Sequence, residues 1–451
     1  MTANARPVPG PDVPGRPGSL DDPGGPHDPG RPGSTGGPGV PARDLIASAY
    51  LPALLYETGL GAITPVVALV AAQMGARLDQ AALVVALVGV GQILGDVPAG
   101  ALAARIGDRR AMLVAAVVAA AALTTSALAP TLPVLAIGVL ATGAASAVFH
   151  LARQSFLTEV TPVVNRARVL STLGGVARIG AFLGPFLGAA LLHVAGLRSV
   201  FWLAVGTTVL AGLVVLLAPD VEGRRRQAAP RGRPVVSTRE LLRGNARLLG
   251  TLGLAVVLVG AVRASRQVVL PLWSEHLGLA PATTSLVFGV SGCVDMLLFY
   301  PAGKVMDRRG RLWVAVPSML VLGTSIAVLP LTTSVTGLAA VAMVMGLGNG
   351  IGSGILMTLG ADVAPERGRS QFLGIWRVFQ DSGAAAGPLL LSAVAAAVGL
   401  AAGITTVGGA GLLAAVALAR WVPRWSEHAS GRTRARAARA RAEVEAVSPP
   451  D

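Results

Sequence analysis

Long apolar segments of about 20 residues recur along the chain, separated by short polar connections. A helix of roughly 20 residues crosses a hydrocarbon core about 30 Å thick, and a single segment in lipid satisfies its backbone hydrogen bonds as a helix. The pattern therefore predicts an all-α membrane protein with twelve transmembrane helices. The predicted helices lie near residues 46–73, 80–103, 111–129, 133–157, 168–194, 199–218, 248–274, 283–306, 312–331, 335–359, 371–397 and 400–420.

A longer polar connection separates six of these segments from the other six. Within it, Leu241 and Leu242 begin either a short interfacial helix or, in the simpler interpretation, a plain linker. The N-terminal stretch is rich in Pro and Gly and cannot bury enough apolar surface to offset its ordering entropy. The predicted organisation is a disordered tail at 1–43, a first six-helix half at 44–218, a linker at 219–247, a second six-helix half at 248–421 and a basic tail at 422–451.

Hydrophobic residues make up 53% of the chain and charged residues only 13%, against roughly 25% in soluble domains. This composition excludes an ordinary soluble protein. Cys293 is the single cysteine, so an intramolecular disulfide is impossible. The formal charge of +14 includes many arginines in short loops, which indicates membrane topology rather than nucleic-acid binding. Arginine is concentrated in alternate loops, so we expect these loops and both termini in the cytoplasm, in a multi-pass protein of the plasma membrane.

The two halves share motifs at one constant offset. Gly303, after the eighth apolar segment, lies 203 residues beyond Gly100, after the second. The same offset relates Arg105 to Arg308, Gly107 to Gly310, Glu159 to Asp362, Pro162 to Pro365, Arg166 to Arg369, Gly180 to Gly383, Gly184 to Gly387, and Pro185 to Pro388. One offset kept through three motifs indicates an internal duplication, which is a recurring design of secondary transporters.

The segment from Gly303 to Arg311 reads G-K-V-M-D-R-R-G-R and resembles the signature loop of the major facilitator superfamily. The G-x-x-x-G-P pattern on the fifth helix is similar to a motif of the superfamily's drug:proton antiporters. Its repeat on the eleventh helix also favours a packing device, in which Pro kinks the helix and Gly allows close approach. The resemblance covers residues 44–420 and implies the major facilitator fold, with twelve helices in two pseudo-symmetric six-helix halves. The motif residues are Gly180, Gly184 and Pro185, and Gly383, Gly387 and Pro388.

The sequence departs from the family pattern at two places. Ala104 stands where the first signature loop would carry its aspartate, and Val139 stands where an arginine is expected four residues before Gly143. In the second loop, Asp307 can accept hydrogen bonds from arginines or cap a helix, and Gly310 can adopt a positive φ. We interpret the loops as a latch that stabilises one access state, or alternatively as a topology anchor only. The gating residues are Gly100, Arg105, Gly107, Gly303, Asp307, Arg308, Gly310 and Arg311.

Several ionisable residues fall inside the predicted helices, where a charge costs about 2.5–3.5 kcal/mol on insertion scales unless it is paired or hydrated. Because the family fold brings helix two against eleven and helix five against eight, the resemblance implies ion pairs between Asp96 and Arg377 and between Arg178 and Asp295. Static structural ion pairs are the simpler interpretation of these four. The substrate or cavity candidates are Arg153, which is expected to meet Glu57, and Arg263 and Arg266, which are expected to meet an anionic substrate group or Asp381.

A desolvated carboxylate can bind and release a proton during a transport cycle. Glu57 is the first candidate for proton coupling and Asp381 the second, whereas His150 is expected to be a packed side chain. Five glycines between Gly346 and Gly354 predict that helix ten bends as a gate, with tight packing as the alternative.

The sequence contains no nucleotide-binding or catalytic motif, so we expect neither an enzyme nor a cofactor or metal. The predicted function is secondary active transport by alternating access, as proton-coupled antiport for efflux of an amphipathic small molecule or drug. The alternatives are a proton-coupled importer of an anionic metabolite and a non-transporting membrane sensor or scaffold. The expected partners are a small-molecule substrate, protons and the lipid bilayer, with the protein acting as a monomer and binding no nucleic acid.

Overall fold

The computed structural model describes residues 45–76, 78–219, 237–279, 281–433, 435–436 and 438–439. Within these residues, twelve helices are long and apolar enough to cross a membrane. We number them α1 Ile46–Gln73, α2 Leu78–Ile106, α3 Asp108–Leu128, α4 Leu132–Val160, α5 Val163–Ala195, α6 Ser199–Leu217, α7 Ala246–His276, α8 Pro281–Arg309, α9 Leu312–Leu331, α10 Val335–Val363, α11 Arg369–Val398 and α12 Leu400–Trp425. The predicted tail at 1–43, the central part of the linker and the last part of the basic tail lie outside the described residues.

The twelve predicted segments each correspond to one of these helices. The largest differences are at the helix ends that carry arginine. α5 begins at Val163 rather than near 168, and α12 continues to Trp425 rather than ending near 420. Polar turns extend the helices there because a helix keeps its own backbone hydrogen bonds whether it lies in lipid or in the polar interface.

The helices pack in a pattern that repeats between the halves. In the first half, α1 packs against α5, α2 against α4 and α3 against α6. In the second half, α7 packs against α11, α8 against α10 and α9 against α12. Between the halves, α2 packs against α11 and α8 against α5, so each contact has a counterpart six helices away. The prediction of two pseudo-symmetric six-helix halves is confirmed.

Glycines with positive φ end helices at matching places in the two halves. Gly107 (φ 94°) and Gly310 (φ 108°) form the turns after α2 and α8, and both belong to the signature loops. Gly196 (φ 79°) and Gly399 (φ 123°) end α5 and α11 and are also 203 residues apart. A side chain with a Cβ is strained in this conformation, which explains why glycine occupies all four turns.

The end of the linker is helical, so the interpretation of a plain linker is wrong for this part. A short helix, Thr238–Gly244, precedes α7. Leu241 is only 5% exposed and belongs to the hydrophobic core of the second half. Burial of this one leucine stabilises a turn that would be marginal as an isolated helix.

Candidate functional site

A cavity of about 960 Å³ lies between the two halves. We call it the central cavity. It is lined by α1 and α5 of the first half and by α7, α8, α10 and α11 of the second half. Most of the lining is apolar, and the large apolar side chains include Phe182, Phe186, Phe288, Met296 and Met357. The charged lining residues among those described are Arg178, Arg263, Arg266 and Asp295.

The structure brings Arg178 of α5 and Asp295 of α8 together across the halves. Arg178 Nη1 donates to Asp295 Oδ1 over 2.5 Å. Arg266 Nη1 lies 3.8 Å from the other carboxylate oxygen, and its Nη2 donates to Ser291 Oγ over 2.8 Å. The expectation that Arg266 meets Asp381 is therefore wrong. The direction in which a side chain leaves α7 depends on the rotation of the whole helix, and this rotation turns Arg266 toward α8.

Arg263 takes a different role from the expected contact with Asp381. Its Nε donates to Asn349 Oδ1 over 2.9 Å, and its Nη1 donates to the carbonyl oxygen of Gly352 over 3.0 Å. Asn349 Nδ2 in turn donates to Asp295 Oδ2 over 2.6 Å. Arg263 is thus joined to the Arg178–Asp295 pair through Asn349, and it lines the central cavity at the same time.

Helix α10 is interrupted where Arg263 contacts it. Its two helical segments are Val335–Ile351 and Ile355–Val363, and Gly354 between them has a φ of 72°. Ser171 of α5 donates to the carbonyl oxygen of Ser353 over 2.8 Å, so the break also contacts the other half. The glycine-rich sequence therefore permits a broken helix, and Arg263 and Ser171 donate to carbonyl groups at the break.

The structure also brings Asp96 of α2 and Arg377 of α11 together. Arg377 Nε donates to Asp96 Oδ1 over 3.3 Å, and its Nη2 donates to Asp381 Oδ2, one turn further along α11, over 3.5 Å. The Asp96 side chain is fully buried. One guanidinium therefore faces two carboxylates at the contact between the halves, which leaves one negative charge in excess.

Glu57 of α1 contacts two residues of α4. His150 Nε2 lies 2.8 Å from Glu57 Oε1, and Arg153 Nη2 donates to the same oxygen over 3.3 Å. The expected contact between Glu57 and Arg153 is present. However, Arg153 is only 2% exposed and is not among the residues that line the central cavity, so its expected place in the cavity is wrong. It instead lies beside the ring of Phe149, inside the first half.

On the side of the arginine-rich loops, which we call the basic side, Asp307 joins the two halves. Its carboxylate oxygens accept from the backbone N–H groups of Ala167 and Arg168, near the start of α5, over 3.0 and 2.9 Å. Arg311 Nη1 lies 3.4 Å from Asp307 Oδ1. The signature loop of the second half therefore holds α8 against α5, through the anticipated contact with an arginine and through backbone N–H groups one turn inside α5.

A second carboxylate, Asp362 at the end of α10, completes this latch. Arg311 Nε donates to Asp362 Oδ2 over 2.7 Å, and Arg311 is only 1% exposed. Arg166 of the first half lies 3.9 Å from Asp362 Oδ1. We refer to Arg166, Asp307, Arg311 and Asp362 together as the latch.

The signature glycines allow close approach between the halves. A Cβ at Gly303 would lie 2.6 Å from Arg168 Cα, and a Cβ at Gly100 would lie 2.7 Å from the carbonyl oxygen of Ser370 in α11. The first half carries Ala104 at the place of the loop aspartate, so the contact between α2 and α11 has no counterpart of Asp307 at this position. Arg105 is exposed on the basic side.

The glycines of the fifth and eleventh helices pack inside each half. A Cβ at Gly180 would lie 2.5 Å from the carbonyl oxygen of Leu54 in α1, and a Cβ at Gly184 would collide with the next turn of α1. Gly383 and Gly387 contact the backbone of α7 in the same way. Both helices continue without interruption through Pro185 and Pro388. The motif therefore acts as a packing device between helices of one half.

The described hydrogen bonds between the halves lie in the central turns or toward the basic side. Beyond the latch, Ser155 and Ser370 share a hydrogen bond of 2.9 Å, and Gln154 Nε2 donates to the carbonyl oxygen of Met357 over 3.4 Å. At the other end, Phe186 lines the central cavity and is 63% exposed. The cavity is therefore closed on the basic side and opens toward the opposite side.

Sequence reasoning missed Asn349, Ser291 and the contact of His150 as parts of the site. Asn349 and Ser291 are small polar residues on helices in which such residues are common, so only their position beside Asp295 distinguishes them. Asp362 could have been found, because the repeat aligns it with Glu159 as an acidic residue at the end of the same helix.

Comparison with known proteins gives consistent matches. The sequence profile described as Major Facilitator Superfamily (MFS) matches residues 50–265 and 252–448. An uncharacterised MFS-type transporter of Mycobacterium tuberculosis is 27% identical over 156 residues, a match that covers 35% of this chain and only 23% of that relative. The multidrug resistance protein MdtH of Edwardsiella ictaluri is 25% identical over 327 residues, covering 69% of this chain and 77% of that relative.

A solved structure shows the same fold. The human organic anion transporter MFSD10 (TETRAN) superposes with a TM-score of 0.70 at 18% identity, and the match covers 84% of this chain and 100% of that chain. At this level of identity, the likeness concerns the arrangement of the helices alone.

Proposed function

Because the chain belongs to the major facilitator superfamily, whose members are membrane transporters, we propose that it exports an amphipathic small molecule from the cell in exchange for protons, by alternating access. The observation that carries this proposal is the central cavity between two pseudo-symmetric halves, closed by the latch on one side and open on the other. The name of the relative MdtH supports drug-like substrates.

The proposed orientation places the basic side and both termini in the cytoplasm, with the protein in the plasma membrane. It rests on the excess of arginine in alternate loops. In this orientation the described conformation is open to the outside. Export then requires a second conformation, in which the latch and the hydrogen bond between Ser155 and Ser370 are broken and the outer ends of the halves close.

The proposed proton site comprises Asp381 and its neighbour Asp96. Both share Arg377, which leaves one carboxylate charge without a counter-charge in a buried environment. A buried charge is costly, and binding of one proton removes the excess. The pair lies where α2 of one half meets α11 of the other, so movement of the halves changes the environment in which the proton is held.

Glu57 is proposed as the second proton-coupling residue. Its carboxylate lies between His150 and Arg153, within α1 and α4 of one half. His150 can exchange a proton with Glu57 directly because the two side chains are 2.8 Å apart.

A second candidate function is proton-coupled import of an anionic metabolite. The observation that favours it is the excess of arginine over carboxylate in the wall of the central cavity. Direction separates the two candidates. In proteoliposomes, a proton-coupled importer moves substrate in the same direction as protons that flow down their gradient, whereas an exporter moves substrate in the opposite direction.

The test uses purified protein in proteoliposomes that contain a pH-sensitive dye, with a panel of amphipathic compounds and an imposed pH gradient. We expect a transported compound to cause proton movement in the opposite direction. Asp381→Asn should bind the compound but lose proton movement, and Glu57→Gln should abolish coupled transport with expression intact. Glu275→Gln, at an exposed carboxylate of α7, is the matched control. Transport that ignores the pH gradient, or full coupling in Asp381→Asn, would refute the proposal.

A further inference from the structure

The wall of the central cavity carries a surplus of positive charge. Among the described lining residues, three are arginines, namely Arg178, Arg263 and Arg266, and one is a carboxylate, Asp295. The formal excess is therefore two positive charges. Glu57 and Asp381 are not among the lining residues, and neither are the arginines that they contact, Arg153 and Arg377.

Both oxygens of the single carboxylate among the described lining residues are already engaged. Asp295 Oδ1 accepts from Arg178, and Oδ2 accepts from Asn349 over 2.6 Å with Arg266 at 3.8 Å. Buried cations that share one anion remain under-compensated, and in a low-dielectric wall this is expensive. A second anion beside the arginines would offset the cost.

The three arginines differ in how firmly they are engaged. Arg263 makes hydrogen bonds to Asn349 and to the carbonyl oxygen of Gly352 at the break of α10, so it serves to hold that helix. Arg266 is only 3% exposed, and its Nε has no hydrogen-bond partner among the described residues. Arg178 has a side chain that is 25% exposed in the cavity wall. Arg178 and Arg266 are thus the two arginines with capacity for a ligand.

The remaining lining of the cavity is apolar and favours a ligand that has a large apolar part. Phe182, Phe186 and Phe288 with Met296 and Met357 make an apolar surface around the arginines, in a volume suited to a drug-sized compound. The second segment of α10, Ile355–Val363, also begins at the cavity wall and directs its positive dipole end there.

We propose that the central cavity binds an amphipathic organic anion, whose anionic oxygens bridge Arg178 and Arg266 while its apolar part lies among the phenylalanines. This inference rests on the proposed transport function and names its substrate class. Asp295 is then an internal competitor that occupies the arginines in the absence of substrate. When the anion binds, it displaces Asp295 from Arg178 and so loosens the contact between α5 and α8.

The test measures equilibrium binding to protein in lipid nanodiscs by calorimetry. The probes are naphthalene-2-sulfonate, the larger biphenyl-4-sulfonate and (naphthalen-2-ylmethyl)trimethylammonium. Sulfonates stay ionised at all working pH values, so their affinity is not confounded by titration of the ligand. We expect the sulfonates to bind at least roughly tenfold more tightly than the cation, and Arg266→Gln to weaken sulfonate binding roughly tenfold to a hundredfold, the range for loss of a charge-assisted hydrogen bond.

Asp295→Asn gives a prediction of opposite sign. Removal of the competing carboxylate should tighten sulfonate binding, whereas a purely structural ion pair would leave it unchanged or weaken it. This variant also decides the matter if Arg266→Gln does not fold. Arg420→Gln, at an exposed arginine of α12, is the control and should change the affinity by less than about twofold.

The proposal is overturned if the cation binds as tightly as the sulfonates, if neither sulfonate binds saturably, or if Asp295→Asn does not tighten binding. Flux in proteoliposomes separates this failure from failure of the transport proposal. Sulfonate that binds but ignores the pH gradient contradicts proton-coupled export alone. Proton-driven movement of the cation without sulfonate binding contradicts the anion site alone.

Discussion

The change Asp307→Asn in the latch should shift the protein toward a conformation that is open on the basic side. The carboxylate of Asp307 accepts two backbone hydrogen bonds from the other half, and its side chain is only 6% exposed. Asparagine keeps one acceptor oxygen but loses the negative charge and presents an amide donor to the other N–H group. The substitution therefore removes at least one charge-assisted hydrogen bond.

The size of the shift follows from the value of such a bond. A hydrogen bond to a charged group contributes about 1.5–3 kcal/mol. A loss of about 2 kcal/mol changes the ratio of the two conformations roughly 30-fold, since about 1.4 kcal/mol corresponds to a factor of ten. Arg166, Asp362 and the pair Ser155–Ser370 still hold the closed side together, so we expect a mixture of conformations rather than complete opening.

The assay is a distance measurement by electron paramagnetic resonance. The single native cysteine is first removed as Cys293→Ala, and spin labels are attached through Val164→Cys and Glu366→Cys, two exposed positions on the basic side of opposite halves. Asp307→Asn should raise the population at longer distance. Glu275→Gln, an exposed carboxylate at the far end of α7, should leave the distribution unchanged. An unaltered distribution in Asp307→Asn would show that the loop is a topology anchor only.

Three further predictions concern the contacts between helices. Asp96→Arg and Arg377→Asp should each abolish transport. The double exchange should restore folding, measured as monodisperse protein by size-exclusion chromatography. A double variant that is no more monodisperse than either single variant would contradict a direct pair. Gly354→Ala should lower the melting temperature, because residue 354 has a positive φ and its new Cβ would lie 2.6 Å from Ser171 Cα. Gly387→Ala should also lower the melting temperature, because its Cβ would collide with the backbone of Ala261. Gly409→Ala is the control and should leave the melting temperature unchanged, because a Cβ there meets open space. Equal effects at the two sites would refute the packing role of Gly387.

The fold was predictable because the features that determine it most strongly can be read directly from the sequence. Twelve apolar segments, the constant offset of 203 residues and the glycine loops are all visible in the sequence. The contacts of helix two with helix eleven and of helix five with helix eight came from the family resemblance, which is why the contacts of Asp96 with Arg377 and of Arg178 with Asp295 could be anticipated. Their roles in transport remain predictions.

The details of the cavity were less predictable because they depend on helix rotation and on a local break. Arg263 finds its partners where α10 is interrupted, and the sequence shows the glycines but not which carbonyl groups at the break accept hydrogen bonds from Arg263. Arg153 makes the expected contact with Glu57, but this contact and the neighbouring Phe149 ring lie inside the first half and not in the cavity. The helix at Thr238–Gly244 depends on burial of Leu241 against distant residues, which no local pattern encodes.

Alternating access of the central cavity is tested most directly by the sidedness of a single thiol. Met296→Cys, in a background with Cys293→Ala, places this thiol in the cavity wall, and a membrane-impermeant reagent is applied to right-side-out and to inverted vesicles. Alternating access predicts reaction from the side opposite to the basic loops, and added reaction from the basic side once Asp307→Asn is introduced. Equal reaction from both sides without that change would indicate an open pore and would contradict the account.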